Sequence, residues 1–253
     1  MTTGNFNIRG KNALVTGSSR GLGAAIALAF AKAGANVAVH GSQKPPCETA
    51  EAIRAAGSKT IELVADLADA TVYEKLIEGA VNGLGSIDIL VNNAGTIRRS
   101  PAIDYSEKDW YEVLQTNLSS IFRLCQLAGR QMLARHSGKI INIASLLSFQ
   151  GGILVPSYAA AKGGVAQLTK ALANEWASQG VNVNAIAPGY MATDNTAALR
   201  NDATQSRQIM ERIPAGRWGT PEDVADAAVF LASPASNYIH GHMLVVDGGW
   251  LAR

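Results

Sequence analysis

Cysteine is scarce in this 253-residue chain: there are two, Cys47 and Cys125, without metal-ligand spacing. A disulfide framework is therefore not expected, and reduced thiols fit a cytoplasmic protein. Charge of one sign is also lacking. The net charge is +2, and Lys, Arg, Asp and Glu are interspersed. Without a basic stripe or a polybasic tract, neither nucleic acid nor a membrane surface is an expected partner. The histidines His40, His136, His240 and His242 form no ligand-like cluster with carboxylates or cysteines, so no metal is assigned. Long apolar runs are missing too. The most apolar tract, GLGAAIALAFAKAGANVAVHG, is broken by Lys32 and by glycines and falls short of a clean span of about 20 residues. The first residues, MTTGNFNIRGK, lack the apolar stretch of a secretory signal. No repeat and no Pro/Ser-rich linker divides the chain.

What is present is an alternation of short β-branched runs with Ala-rich helical segments: NALVTG, GAAIALAFAKAG, NVAVHG, CETAEAIRAAG, TIELVAD. Such alternation predicts βαβ units and a parallel sheet. Continued to the end of the chain, it predicts seven strands and about six helices in one α/β, doubly wound, Rossmann-type domain over residues 1–253, with helices on both faces. The helices include one near Thr71 to Gly83 and a long one near Glu107 to His136. Residues 190–218 break the rhythm, being polar, Arg-containing and without a strand. Following a strand end, they are either a lid over a substrate or a helical excursion on the surface.

The stretch VTGSSRGLG places Gly17, Gly21 and Gly23 at the first strand-to-helix turn. Glycines let the backbone approach a pyrophosphate, and the helix N-terminus offers N–H donors to it. Asp66, at the end of the third strand, can hydrogen-bond an adenine amino group, and NNAG (Asn92 to Gly95) can admit a ribose. After the second strand, where an acidic residue commonly binds ribose hydroxyls, this chain has His40, Gly41, Ser42 and Lys44 and no carboxylate. With Arg20 nearby, the charge there suits a 2′-phosphate. In SYAAAK, Tyr158 and Lys162 lie four residues apart, which on a helix stacks them on one face.

TGSSRGLG, NNAG, Asn117, Ser145, YAAAK and PG occur in this order, and the chain resembles the short-chain dehydrogenase/reductase superfamily over essentially its whole length. The resemblance implies an enzyme that transfers hydride reversibly between NAD or NADP and a secondary alcohol or ketone of a sugar acid. Tyr158 is then the general acid/base. Lys162 holds the nicotinamide ribose and lowers the Tyr158 pKa, Ser145 binds the substrate oxygen, and Asn117 anchors a relay water. Cofactor contacts are implied for Gly17, Ser19, Arg20, Gly21, Leu22, Gly23, Ser42, Asp66, Leu67, Asn93, Ala94, Gly95, Pro188, Gly189, Met191 and Thr193. Substrate contacts are expected from Arg98 or Arg99, from Leu147 and Gln150, and from Arg217. An Arg fork suits a carboxylate. A homotetramer is implied, in which Trp250, Leu251 and Arg253 pack on a neighbouring subunit or on their own chain. A dehydrogenase acting at C5 of gluconate, a reductase of acyl-carrier 3-ketones and a nucleotide sensor without turnover are the alternatives. A sensor would be expected to have lost Tyr158 or Lys162.

Overall fold

The computed structural model describes residues 6–253. Seven strands, β1 (Asn12–Val15), β2 (Asn36–Gly41), β3 (Thr60–Val64), β4 (Ile89–Asn92), β5 (Gly138–Ile143), β6 (Val181–Pro188) and β7 (Met243–Val246), form one sheet. Their order is β3-β2-β1-β4-β5-β6-β7, and every pairing is parallel. The strand order reverses between β1 and β4, and a doubly wound sheet binds ligands outside the carboxyl ends of its strands at that switch point.

The central strands read as continuous apolar runs because both sheet faces are covered. On one face, α1 (Gly21–Lys32), α2 (Cys47–Ala55) and α9 (Pro221–Ala232) bring Ile26, Phe30, Ile53, Val224 and Leu231 onto Val15, Val37 and Ile141. On the other, α3 (Tyr73–Leu84), α5 (Ser120–Ala134) and α6 (Pro156–Trp176) bury Leu76, Ile77, Leu124, Met132, Val165 and Trp176 against Leu14, Leu90 and Ile140.

The helices differ from expectation in one place. The long helix expected near Glu107 to His136 is α4 (Glu107–Leu114), a π-helical segment at Gln115–Ser119, and then α5. Widening one turn changes the hydrogen-bond ladder without breaking the apolar periodicity, and such turns are frequent at functional sites. Residues 190–218 hold a short 3₁₀ turn at Asp194–Thr196 and the helices α7 (Ala197–Asn201) and α8 (Ala203–Arg212). Instead of a strand this region has a single bridge between Met191 and Gly219.

Candidate active site

The glycine turn and the NNAG turn are built against each other at the switch point. Gly17 has φ +62°, and a Cβ there would lie 2.7 Å from the Ala94 Cα. A Cβ on Gly23 would meet the Gly17 carbonyl oxygen at 2.3 Å and the Asn93 amide nitrogen at 2.4 Å. Asn93 donates from Nδ2 to the carbonyls of Thr16 and Gly17, both at 2.9 Å. Thr16, which no spacing in the sequence marks, accepts from the N–H groups of Asn93 and Ala94 on one hydroxyl, at 3.0 and 3.1 Å.

Just beyond this cradle, α1 begins at Arg20 with no side-chain cap and no acidic residue in its first turn. Its leading N–H groups thus have no side-chain partner in their own turn, a setting that suits a pyrophosphate. Thr193 borders the same turn: a Cβ on Gly21 would approach its methyl at 3.8 Å. Gly41 is equally crowded, since a Cβ there would be 2.1 Å from the Lys44 carbonyl and 2.9 Å from the Ser19 hydroxyl. The loop after β2 therefore folds onto the glycine turn and carries Ser42 and Lys44 with it. Asp66 is exposed two residues past β3 and accepts from the Ala68 N–H at 3.0 Å, while Leu67 beside it is buried. Arg20 reaches Asp194 at 3.4 Å, and both side chains are about three-quarters exposed; such a pair is weak and yields readily to a stronger anion. At the end of β6, Pro188 and Gly189 turn closely past Asp247, 2.6 Å from a Cβ built on Gly189, and Met191 is buried.

The proton-handling groups come from β5, α6 and the π segment. Ser145 lies just past β5, and its hydroxyl contacts Tyr158 and accepts from the Leu147 N–H at 3.2 Å. Tyr158 and Lys162 share one face of α6, with Nζ 5.6 Å from the ring centroid. Lys162 is 3% exposed and donates from Nζ to the Ile143 carbonyl at 2.5 Å. The Lys162 carbonyl accepts from the Ser148 hydroxyl at 2.7 Å, which ties the helix to the Ser145 loop. Asn117, fully buried in the π segment, clamps the Thr96 backbone: Oδ1 accepts from its N–H at 2.8 Å and Nδ2 donates to its carbonyl at 2.7 Å. Its side chain is thus spent on holding the NNAG loop.

Burial moves the two titrating groups apart. It pushes the Tyr158 phenol up, against opposing pulls from the Ser145 hydroxyl and from the positive charge of Arg99. It draws the Lys162 ammonium down to about 8. Desolvation is the larger effect on the phenol and outweighs the pulls of Ser145 and Arg99.

Of the three candidate carboxylate partners, two are already paired. Arg98 donates from Nη2 to Glu112 at 2.5 Å and lies 3.6 Å from Asp109. Arg217 is bidentate on Asp223, at 2.7 and 2.9 Å, and thereby serves the capping box at the start of α9. Arg99 is exposed and has no carboxylate within ion-pair distance among the described residues. Gln150 accepts from the Trp250 indole at 3.4 Å.

The end of the chain makes contacts within its own chain. Trp250 stacks on Tyr190, with centroids 4.6 Å apart, and under the Arg212 guanidinium at 4.0 Å. Arg253 donates to the carbonyls of Glu211 and Arg212 at the end of α8, at 2.6 and 3.1 Å. The terminus is therefore a strut that joins the 190–218 segment to the loop of Gln150. Among the described residues no metal-holding group of His, Cys, Asp or Glu is found, and no helix is long and apolar enough to cross a membrane.

A family model of short-chain dehydrogenases, described as enoyl-(acyl carrier protein) reductase, matches residues 17–251. The chain belongs to the short-chain dehydrogenase/reductase family. Within it, a 2-dehydro-3-deoxy-D-gluconate 5-dehydrogenase of Dickeya dadantii is 52% identical over 254 residues, covering 100% of both chains. A crystal structure from Agrobacterium tumefaciens with bound NADP is 51% identical, covers 99% of this chain and 100% of its own, and superposes with a TM-score of 0.89. A gluconate 5-dehydrogenase from Burkholderia cenocepacia, in complex with NADP and tartrate, is 39% identical over 98% of each chain, with a TM-score of 0.93. As a family member the chain is an NAD(P)-dependent oxidoreductase acting on CH–OH donors.

Proposed function

We propose that this enzyme interconverts a hydroxyl and a ketone on a sugar acid of the 2-dehydro-3-deoxy-D-gluconate or 2-deoxy-D-gluconate type, with NADP(H) as the preferred cofactor. The observation that carries the substrate class is Arg99. It lies close enough to Tyr158 for its charge to favour the phenolate, and it has no carboxylate partner among the described residues. A substrate bearing a carboxylate supplies what this cation lacks, and the sugar-acid names of the full-length relatives point to the same chemistry.

The nicotinamide supplies the hydride donor or acceptor. Tyr158 takes the hydroxyl proton as the alcohol is oxidised and returns it to the ketone oxygen in reduction. Ser145 donates to that oxygen as charge develops on it. Lys162 holds the cofactor ribose and keeps a positive charge beside the phenol. Asn117 fixes the NNAG loop and opens the π turn through which we place the relay water. Residues 190–218 act as the lid, with Trp250 packed on Tyr190 and Arg212 and bonded to Gln150 along its edge. The preference for NADP(H) rests on the absence of a carboxylate after β2, on Lys44 and Ser42 folded over the glycine turn, and on Arg20, whose exposed pairing with Asp194 is easily exchanged for a phosphate. A cytoplasmic homotetramer belongs to the same reading; Tyr111 on α4 and Phe122 on α5 are exposed aromatics available to such an interface.

Replacing Arg99 by Met tests the assignment through two separate readouts. KM for the sugar acid should rise by about tenfold or more, the equivalent of one lost charge-assisted contact. The rising limb of the oxidation rate against pH should also move to higher pH, because a charge that favours the phenolate is gone. An unchanged KM and an unmoved limb sink the assignment.

A further inference from the structure

One buried side chain that the hydride chemistry leaves unused is His40, in β2 and 1% exposed. Its two ring nitrogens face opposite ends of the dinucleotide site. Nδ1 accepts from the Gly17 N–H at 3.0 Å, and Nε2 lies 2.8 Å from the Ala65 carbonyl oxygen, one residue before Asp66. A backbone N–H can only donate and a carbonyl can only accept, so the contacts fix a neutral imidazole with its proton on Nε2.

The backbone around His40 repeats the link. Its N–H donates to the Ser18 hydroxyl at 2.8 Å, the Ser18 N–H donates to the His40 carbonyl at 2.9 Å, and that hydroxyl donates to Val15 at 2.9 Å. Gly17 is thus gripped on both sides, its N–H by His40 and its carbonyl by Asn93 at 2.9 Å. We propose that neutral His40 is a positioning residue for the cofactor, setting the direction of the Gly17 peptide and the separation between the glycine turn and Asp66. This rests on the reading of that turn as the dinucleotide site.

Protonation would set an N–H against the Gly17 N–H and break the grip. Of the charged groups on the elements around the ring, Arg20 in the glycine turn, Lys44 after β2 and Asp66 after β3, Asp66 is the one whose charge acts on it, toward the protonated form. Burial acts the other way and holds the ring below its ordinary value of 6.5.

Two substitutions separate the contacts. In His40→Asn, the amide oxygen takes the place of Nδ1 and keeps the Gly17 link; in His40→Gln, the amide nitrogen takes the place of Nε2 and keeps only the Ala65 link. NADPH dissociation constants from fluorescence titration, together with kcat and cofactor KM, are compared with the wild type. His40→Gln should weaken NADPH about tenfold with kcat at saturation within about twofold, and His40→Asn should lose about threefold or less. Equal losses in the two variants, or wild-type affinity in both, overturn the proposal. If His40→Gln fails to fold, the pH series decides. As pH falls from 7 to 5, the wild-type dissociation constant should climb more steeply than that of His40→Asn, which carries no titrating ring; identical profiles overturn the proposal. Wild-type protein that binds neither NADPH nor NADH would instead refute the cofactor reading itself.

Discussion

Tyr158→Phe is expected to lower kcat by a factor on the order of 10³, with NADPH affinity within about threefold of wild type. The substitution keeps the ring, so Lys162 retains its position 5.6 Å from the centroid, and the glycine cradle, whose contacts run through Gly17, Asn93 and Thr16, is untouched. Only the proton carrier and the partner of the Ser145 hydroxyl are removed. Steady-state assays in both directions, with fluorescence titration of NADPH, check the outcome. Turnover within about tenfold of wild type would remove Tyr158 from the acid/base role.

Lys162→Met should cost kcat a factor on the order of 10² to 10³, comparable with deleting one preorganised donor or charge at a reacting centre. It also predicts a stability signature that belongs to this lysine. The folded protein holds the ammonium at about 8, well below the ordinary 10.5, because burial disfavours its charge. Between those values the unfolded chain binds a proton that the folded chain does not. Stability should therefore rise with pH in that window, by up to about 1.4 kcal/mol per pH unit from this group, and the contribution is lost as pH falls through 8. Lys139, also drawn down to about 8 by burial, is present in both proteins and cancels in the comparison. Urea denaturation of wild type and Lys162→Met at pH 8, 9 and 10 should show the wild type gaining on the variant at each step. Parallel stabilities would mean that Lys162 is solvated and its pKa ordinary.

The sheet was legible because parallel strands covered on both faces leave uninterrupted apolar runs, and the seven strands that the alternation predicts are the seven of the sheet. The Tyr158–Lys162 couple was legible because helical spacing and neighbouring motifs agree. The π turn was not: Gln115 to Ser119 continue a helical pattern, and a widened turn leaves no mark on it. Nor could sequence choose between Arg98 and Arg99, since the choice depends on Glu112 and Asp109 arriving from α4. His40 read as one of four unclustered histidines because its partners are backbone atoms of Gly17 and Ala65, which carry no residue-type signal. The contacts of Trp250 with Tyr190 and Arg212 were not legible either, because they depend on how the 190–218 segment folds back.

The sugar-acid assignment is tested most directly by a substrate comparison on the wild-type enzyme. Gluconate, 2-deoxygluconate, 2-keto-3-deoxygluconate and an acetoacetyl thioester are each assayed with NADP(H) and with NAD(H). The account predicts that a 3-deoxy or 2-deoxy sugar acid with NADP(H) gives the highest kcat/KM, exceeding the thioester by about 10² or more, since the Arg99 cation has no partner in an uncharged acyl chain. A thioester preferred over every sugar acid would contradict it.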